Sequence, residues 1–274
     1  MVQGMDDPAS GPADSLEAVR GEIDKVDAAL MSLLSQRMHF ADRLAGMKAQ
    51  SGLPMRPGRE VVLLRQLIAA APAALEREFI VEVWRALIAA SLRRQRVIDV
   101  AVGGGRGDLS RMFDIARRHF GARTRIQHVG EPQAALSRAL EQPGQCVAVT
   151  PWPAAPGVGA WWPALCERRF HDLNLIAGLP LLGPADEIPE ACVFAVAPPE
   201  GAGGDVSLLI GFDPHHRVQR ALKDSGLDGH EVARAEPRVL LRIEGFLGLD
   251  DPRVGALTRY GLESVRVLGA YARI

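Results

Sequence analysis

The chain has no apolar run of about 18 residues, the length a membrane-spanning helix requires. Its greasiest stretch, Phe79 to Leu92, is interrupted by Glu82 and Arg85. No basic segment followed by an apolar core opens the N-terminus, so no secretory signal is expected. An excess of one charge is missing too. Over 274 residues, 32 Lys+Arg oppose 33 Asp+Glu, and the net −1 gives no global electrostatic reason to hold nucleic acid or an anionic membrane. The three cysteines, Cys146, Cys166 and Cys192, are odd in number and show no C-x-x-C spacing, as suits free thiols in a reducing cytoplasm. Aromatic residues are only 5% of the chain, which leaves helix packing to Leu, Ala and Val. What remains is length enough for one large domain or two to three small ones, divided into distinct textures.

Residues 1–13 are rich in Gly, Pro and Asp without an apolar period, and are expected to form a disordered tail. From Asp14 to Arg96 the texture is helical. Asp14 with Glu17 is a variant capping box. Leu16, Val19, Ile23, Val26, Leu30, Leu33, Phe40, Leu44 and Met47 then recur at spacings of three and four until Ser51-Gly52-Leu53-Pro54 ends the run. Such a helix is about 50 Å long. A domain of this size cannot bury that length by itself, whereas a partner chain could. A second helix starts near Pro57 and carries Val61, Leu64, Leu67 and Ile68. A third covers 75–96, with Phe79, Val83, Leu87 and Ala90 on its apolar face.

Charges interrupt this pattern. Arg37 fills the heptad slot between Leu33 and Phe40, where an unpaired charge costs several kcal/mol. Lys48 lies three helical turns further on at nearly the same azimuth, so the two cations face one space and favour an anion between them. Arg20 is about 25 Å from Arg37 along the rod, too far to serve the same pocket, but within reach of the equivalent pocket of an antiparallel two-fold partner. The second helix adds Arg59 and Glu60. The third adds Ser91 and Gln95, which share a face.

Taken together, Arg20, Arg37, Lys48, Arg59, Glu60, Ser91 and Gln95 resemble, in type and relative position, the polar set of the all-helical chorismate mutase family. One departure is Arg56, at a place where that family often has an acid. The resemblance implies an intertwined helical dimer. It also implies that a small dianion, chorismate, rearranges to prephenate with no metal, cofactor or covalent step. Catalytic roles fall to Arg37, Lys48, Gln95 and Glu60, and substrate-binding roles to Arg20, Arg59 and Ser91. Arg20, lent by the partner, and Arg37 grip a carboxylate and the ether side, while Lys48 and Gln95 donate to the ether oxygen.

After Val97 the chain turns α/β. Strands are expected at Ile98–Val102, Thr124–His128, Cys146–Thr150, Leu173–Leu182 and Cys192–Ala197, and helices at Ser110–Phe120 and Gln133–Glu141. The glycines at 103, 104, 105 and 107 do not complete G-x-G-x-x-G, because Asp108 takes the last place. His119, His171, His215 and His216 lack metal-ligand spacing and read as surface or loop residues. The segments VAVGGGRGDLSRMFDIARRHFG, PGQCVAVTPWP and FHDLNLIAGLPLL resemble the prephenate dehydratase domain that follows a mutase in some bifunctional enzymes. That family's Thr-Arg-Phe is replaced here by Cys192-Val193-Phe194, and the region is about half the expected length, so no dehydratase activity is expected. The last 70 residues resemble a shortened ACT-type module of βαββαβ layout, which implies an amino-acid effector or a purely structural role.

The expected architecture is therefore multidomain. A disordered tail (1–13) leads into an all-α three-helix mutase domain (14–97). A truncated α/β region (98–200) and an α+β ACT-like module (205–274) follow. The expected function is a cytoplasmic, homodimeric chorismate mutase with a non-catalytic, regulatory or stabilising extension, and neither nucleic acid nor membrane as partner. The alternatives are a working bifunctional mutase/dehydratase and a non-catalytic dimeric sensor built on the same helices.

Overall fold

The computed structural model describes residues 15–47, 52–104, 109–153, 160–184 and 187–274. The expected tail, the Asp14 cap, Lys48 and the glycine-cluster residues 105–108 lie outside the described residues. The chain divides into two compact units, 1–48 and 49–274.

The first unit is one helix, α1 (Leu16–Met47), of 32 residues and so about 48 Å long. Its start is fixed one residue after the expected cap: Ser15 Oγ accepts from the Ala18 amide at 3.1 Å. Of its residues only Ala41 is buried. Ten large apolar side chains, from Leu16 to Met47, remain between 48% and 78% exposed. The periodic stripe is there, and the helix cannot cover it by itself.

The second unit opens with α2 (Pro57–Ala70) and α3 (Arg77–Gln95). It continues as β1 (Asp99–Gly103), α4 (Leu109–Phe120), β2 (Arg125–Gly130), α5 (Pro132–Glu141), β3 (Cys146–Pro151), β4 (Asn174–Leu179) and β5 (Ala191–Ala195). The expected strands and helices of this stretch are present, displaced by one or two residues at their ends apart from the shorter β4. The last part is β6 (Asp205–Phe212), α6 (Val218–Ser225), β7 (Gly229–Ala235), β8 (Arg238–Glu244), α7 (Pro252–Arg259) and β9 (Glu263–Ala272). That is the βαββαβ order the sequence implies.

Among the described residues these strands make one nine-stranded sheet in the order β2-β1-β3-β5-β4-β9-β6-β8-β7. β1 runs parallel to β2 and β3, and β5 runs antiparallel to β3 and β4. The two halves meet where Leu175 of β4 pairs with Gly269 of β9. A Cβ at Gly269 would stand 2.8 Å from the Leu175 nitrogen, so only glycine permits that approach, and its φ of +138° suits no other residue. Gly103 has a similar role at the end of β1, where a Cβ would lie 2.7 Å from the Glu131 carbonyl oxygen as α5 packs down.

Side chains alternate across β1. Ala101 packs with α5 residues Ala135, Leu136 and Ala139. Val100 and Val102 pack with Met112, Ala116 and Phe120 of α4 and with Val61 and Leu64 of α2. A third cluster joins α6 and α7 to Leu209, Leu241 and Val267. None of the described helices is long and apolar enough to cross a membrane.

Two sequence expectations change here. The boundary read at 97–98 falls inside a compact unit, because α2 and α3 pack with the sheet region. Arg65 of α2 donates to the carbonyls of Ala202 (3.0 Å) and Arg273 (3.1 Å). On α3 the buried residues are Ile80, Arg85, Ile88 and Ala89, whereas Phe79 of the expected apolar face is 53% exposed. The helix is apolar over more than one face, and its contact with α4 and Phe120 selects the face that goes inward.

Candidate functional site

On α1, Arg37 sits half-buried, and burial lowers its pKa from the usual guanidinium value. A cation held partly out of water is one that gains from an anion. Arg20, at the N-terminal end, is exposed and lies 3.8 Å from Glu17 on the preceding turn. The straight helix keeps the two arginines about 25 Å apart, as their spacing requires.

In the second unit, Ser91 and Gln95 of α3 come together. Ser91 Oγ donates to the Leu87 carbonyl at 2.8 Å, and Gln95 Nε2 donates to the Ser91 carbonyl at 3.4 Å. Gln95 Oε1 is buried without a hydrogen-bond partner among the described residues. An amide held in this way has a polar atom still to satisfy. Arg59, in the first turn of α2, projects into solvent.

Glu60 is placed differently from its neighbour. It is only 7% exposed, and its carboxylate accepts from Arg85 Nη1. Arg85 also donates from Nε and Nη2 to the His119 carbonyl, at 3.0 and 2.6 Å. Glu60, Arg85 and the end of α4 thus form a buried clamp joining three helices. Arg85 lies about 9 Å from Ser91 along α3 and about 120° round the axis. Glu60, expected among the catalytic residues, is engaged by Arg85 within this unit. The sequence signal for its actual partner was Arg85 itself, a lone cation inside the apolar stretch of α3.

Arg56, the departure noted above, pairs through Nε with Glu200 Oε1 at 2.6 Å. Gly58 lets this contact close, since a Cβ there would meet the Glu200 Cβ at 2.8 Å. Arg56 therefore tethers the start of α2 to the segment after β5.

His119 corrects its expected surface placement. It is 6% exposed and packs edge-on to Phe120 at 4.7 Å. Burial first, and the Arg85 charge second, hold its pKa well below the usual imidazole value. His171, His215 and His216 are exposed, as expected. The described residues contain no cluster of His, Cys, Asp or Glu able to hold a metal. Burial pushes the Cys146 thiol up to about 11 and raises Cys192 further from reactivity, so neither is a nucleophile near neutral pH.

The helices of the N-terminal segment carry cations and amide groups, the class of side chain that binds and orients an anion. Residues 19–96 match the family described as chorismate mutase type II, and the N-terminal part of the chain carries a domain of that family. Over 136 residues the chain is 26% identical to the bifunctional chorismate mutase/prephenate dehydratase of Stutzerimonas stutzeri, covering 47% of this chain and 36% of that protein. The protein of the same description from Pseudomonas aeruginosa is 27% identical over 135 residues, covering 47% of this chain and 35% of that one. The match thus spans only about a third of these curated relatives' length. Among solved structures, a prephenate dehydratase from Arthrobacter aurescens in complex with L-Phe is similar with a TM-score of 0.45 at 14% identity, covering 64% of this chain and 90% of that chain.

Proposed function

We propose that this chain is a chorismate mutase, catalysing the unimolecular conversion of chorismate to prephenate in aromatic amino-acid biosynthesis. The observation that carries the reading is the family match over residues 19–96 with the polar set Arg20, Arg37, Lys48, Arg59, Ser91 and Gln95 retained within it.

The reaction breaks a C–O bond and forms a C–C bond within one molecule, so the protein has to select the folded conformer and stabilise charge growing on the ether oxygen. Arg37 suits a carboxylate because its planar fork donates two parallel hydrogen bonds. Lys48 and Gln95 donate to the ether oxygen. Arg59 and Ser91 position the substrate. A millionfold acceleration corresponds to roughly 8 kcal/mol, within reach of a few charge-assisted bonds in a desolvated pocket.

The reading includes a homodimer through α1, in which Arg20 is lent to the partner's pocket. Ten exposed apolar side chains on one helix support it, since a lone helix with that surface bare to water is marginal. The βαββαβ segment is read as an ACT-like module, with an amino acid as its candidate effector, and the reducing cytoplasm as the site of action. The relatives' name favours a second reading, a dehydratase activity as well. Against it, the place of Thr-Arg-Phe holds Cys192, Val193 and Phe194, all fully buried, with neither hydroxyl nor guanidinium.

Purified protein is expected to consume chorismate, followed by loss of its ultraviolet absorbance. Arg37→Ala and Lys48→Ala should each lower kcat/KM by about 10²–10³-fold, the cost of removing one donor from a developing oxyanion. A parent protein that leaves chorismate untouched overturns the proposal. Phenylpyruvate formed from supplied prephenate would establish the second activity.

A further inference from the structure

The C-terminal half of α3, the start of β1 and the turn from α4 into β2 enclose a recess of about 140 Å³. Five arginines, Arg85, Arg93, Arg96, Arg123 and Arg125, are among the residues lining it, and no aspartate or glutamate is. Neither Ser91 nor Gln95 belongs to it. Five like charges around one small space are unfavourable in themselves, and arginine does not relieve the repulsion by losing its proton.

Three of the five are compensated in part. Arg85 is held by Glu60 and the His119 carbonyl. Arg96 donates to the carbonyls of Gly52 (3.1 Å) and Gly144 (3.4 Å). Arg125 lies 3.8 Å from Asp99. Arg93 and Arg123 make no hydrogen bond or ion pair with the described residues. The carbonyl end of α3 gives Arg93 a reason to be there, since cations favour that end of a helix dipole. It gives none for Arg123 and Arg125, which come from the turn and from β2.

The rest of the wall is apolar, built by Leu92, Val97, Ile98 and Phe120. Val97 stands 66% exposed beside this ring of cations. We propose that the recess is a binding site for a small organic carboxylate with an apolar body. Its head group sits between Arg93 and Arg123, and its body covers Val97. Guanidinium forks match a carboxylate in geometry, and the apolar wall distinguishes such a ligand from a bare anion. The site lies wholly in the second unit and is independent of the mutase reading.

The test is a calorimetric titration of the full chain with benzoate, acetate and inorganic phosphate at fixed ionic strength. Benzoate is expected to bind saturably and at least tenfold more tightly than the other two. The double variant Arg93→Gln/Arg123→Gln should lose at least tenfold in benzoate affinity, and so should the single variant Arg123→Gln, whose exposed position in a turn leaves folding untouched. Arg37→Ala should bind benzoate as the parent does, which separates this site from the one on α1. No saturable binding, phosphate binding more tightly than benzoate, or unchanged affinity in both arginine variants would each overturn the proposal. So would loss of benzoate binding in Arg37→Ala.

Discussion

Arg85 is the residue on which most of the local structure of α2, α3 and α4 turns. It neutralises a buried carboxylate and satisfies the His119 carbonyl in the last turn of α4 at once. Replacing it with Met leaves Glu60 charged and alone in the interior, and should cost about 3–5 kcal/mol of unfolding free energy, read from urea denaturation. Adding Glu60→Gln to that variant should recover part of the loss, because the two residues are directly coupled. His119 predicts a pH effect of defined sign. Its imidazole is neutral in the fold and titrates normally when unfolded, so below the usual value of 6.5 the unfolded chain binds the extra proton. Stability should fall as pH drops from about 6.5 towards 5, by up to about 1.4 kcal/mol per pH unit, and His119→Gln should flatten that slope. The sequence made these residues visible without making their pairing visible. Arg85 stood out as a cation in an apolar run, but nothing local says that its partner lies on the preceding helix. Glu60 beside Arg59 read as one polar pair, although adjacent positions on a helix point about 100° apart and here go to opposite fates.

Elements were the most legible scale. The 3–4 period of α1 and Pro57 at the start of α2 placed their elements, and the short β-rich runs after Val97 placed theirs within one or two residues of their ends, the shorter β4 excepted. Periodicity did less well at choosing faces. In α3 apolar residues occupy more than one side, so the face that packs is decided by α4 and Phe120, which no local pattern announces. For α1 the pattern gave the stripe, and the stripe is bare in one chain. If a second copy covers it, Leu30→Glu should shift the protein to monomer by sedimentation velocity and lower its helical circular dichroism, because an isolated helix of this kind is marginal in water. Chorismate turnover should fall with the dimer, since Arg20 would no longer reach a neighbouring pocket. A variant that stays dimeric and active would place the assembly elsewhere.

Across the whole molecule, the sequence suggested a helical mutase joined end to end with a separate extension, whereas the structure puts α2 and α3 into one compact unit with the nine-stranded sheet. Long-range contacts made by arginines explain why composition missed it. Arg65 reaches the carbonyls of Ala202 and Arg273, more than a hundred residues away in sequence. A fragment ending at residue 97 would strip α2 of those acceptors, remove the His119 carbonyl from Arg85, and take Ile98, Val100 and Phe120 from Val61 and Leu64. Such a fragment should be insoluble or molten by near-ultraviolet circular dichroism, where a free-standing mutase domain would be folded and active. The joint at Gly269 carries this connection to the far end of the chain. Together with the Ile274 amide on the Leu181 carbonyl and Arg65 on the Arg273 carbonyl, it gives the C-terminal strands a common frame with α2 and α3, so a change that tilts those strands would be felt at Ser91 and Gln95 without any messenger between domains.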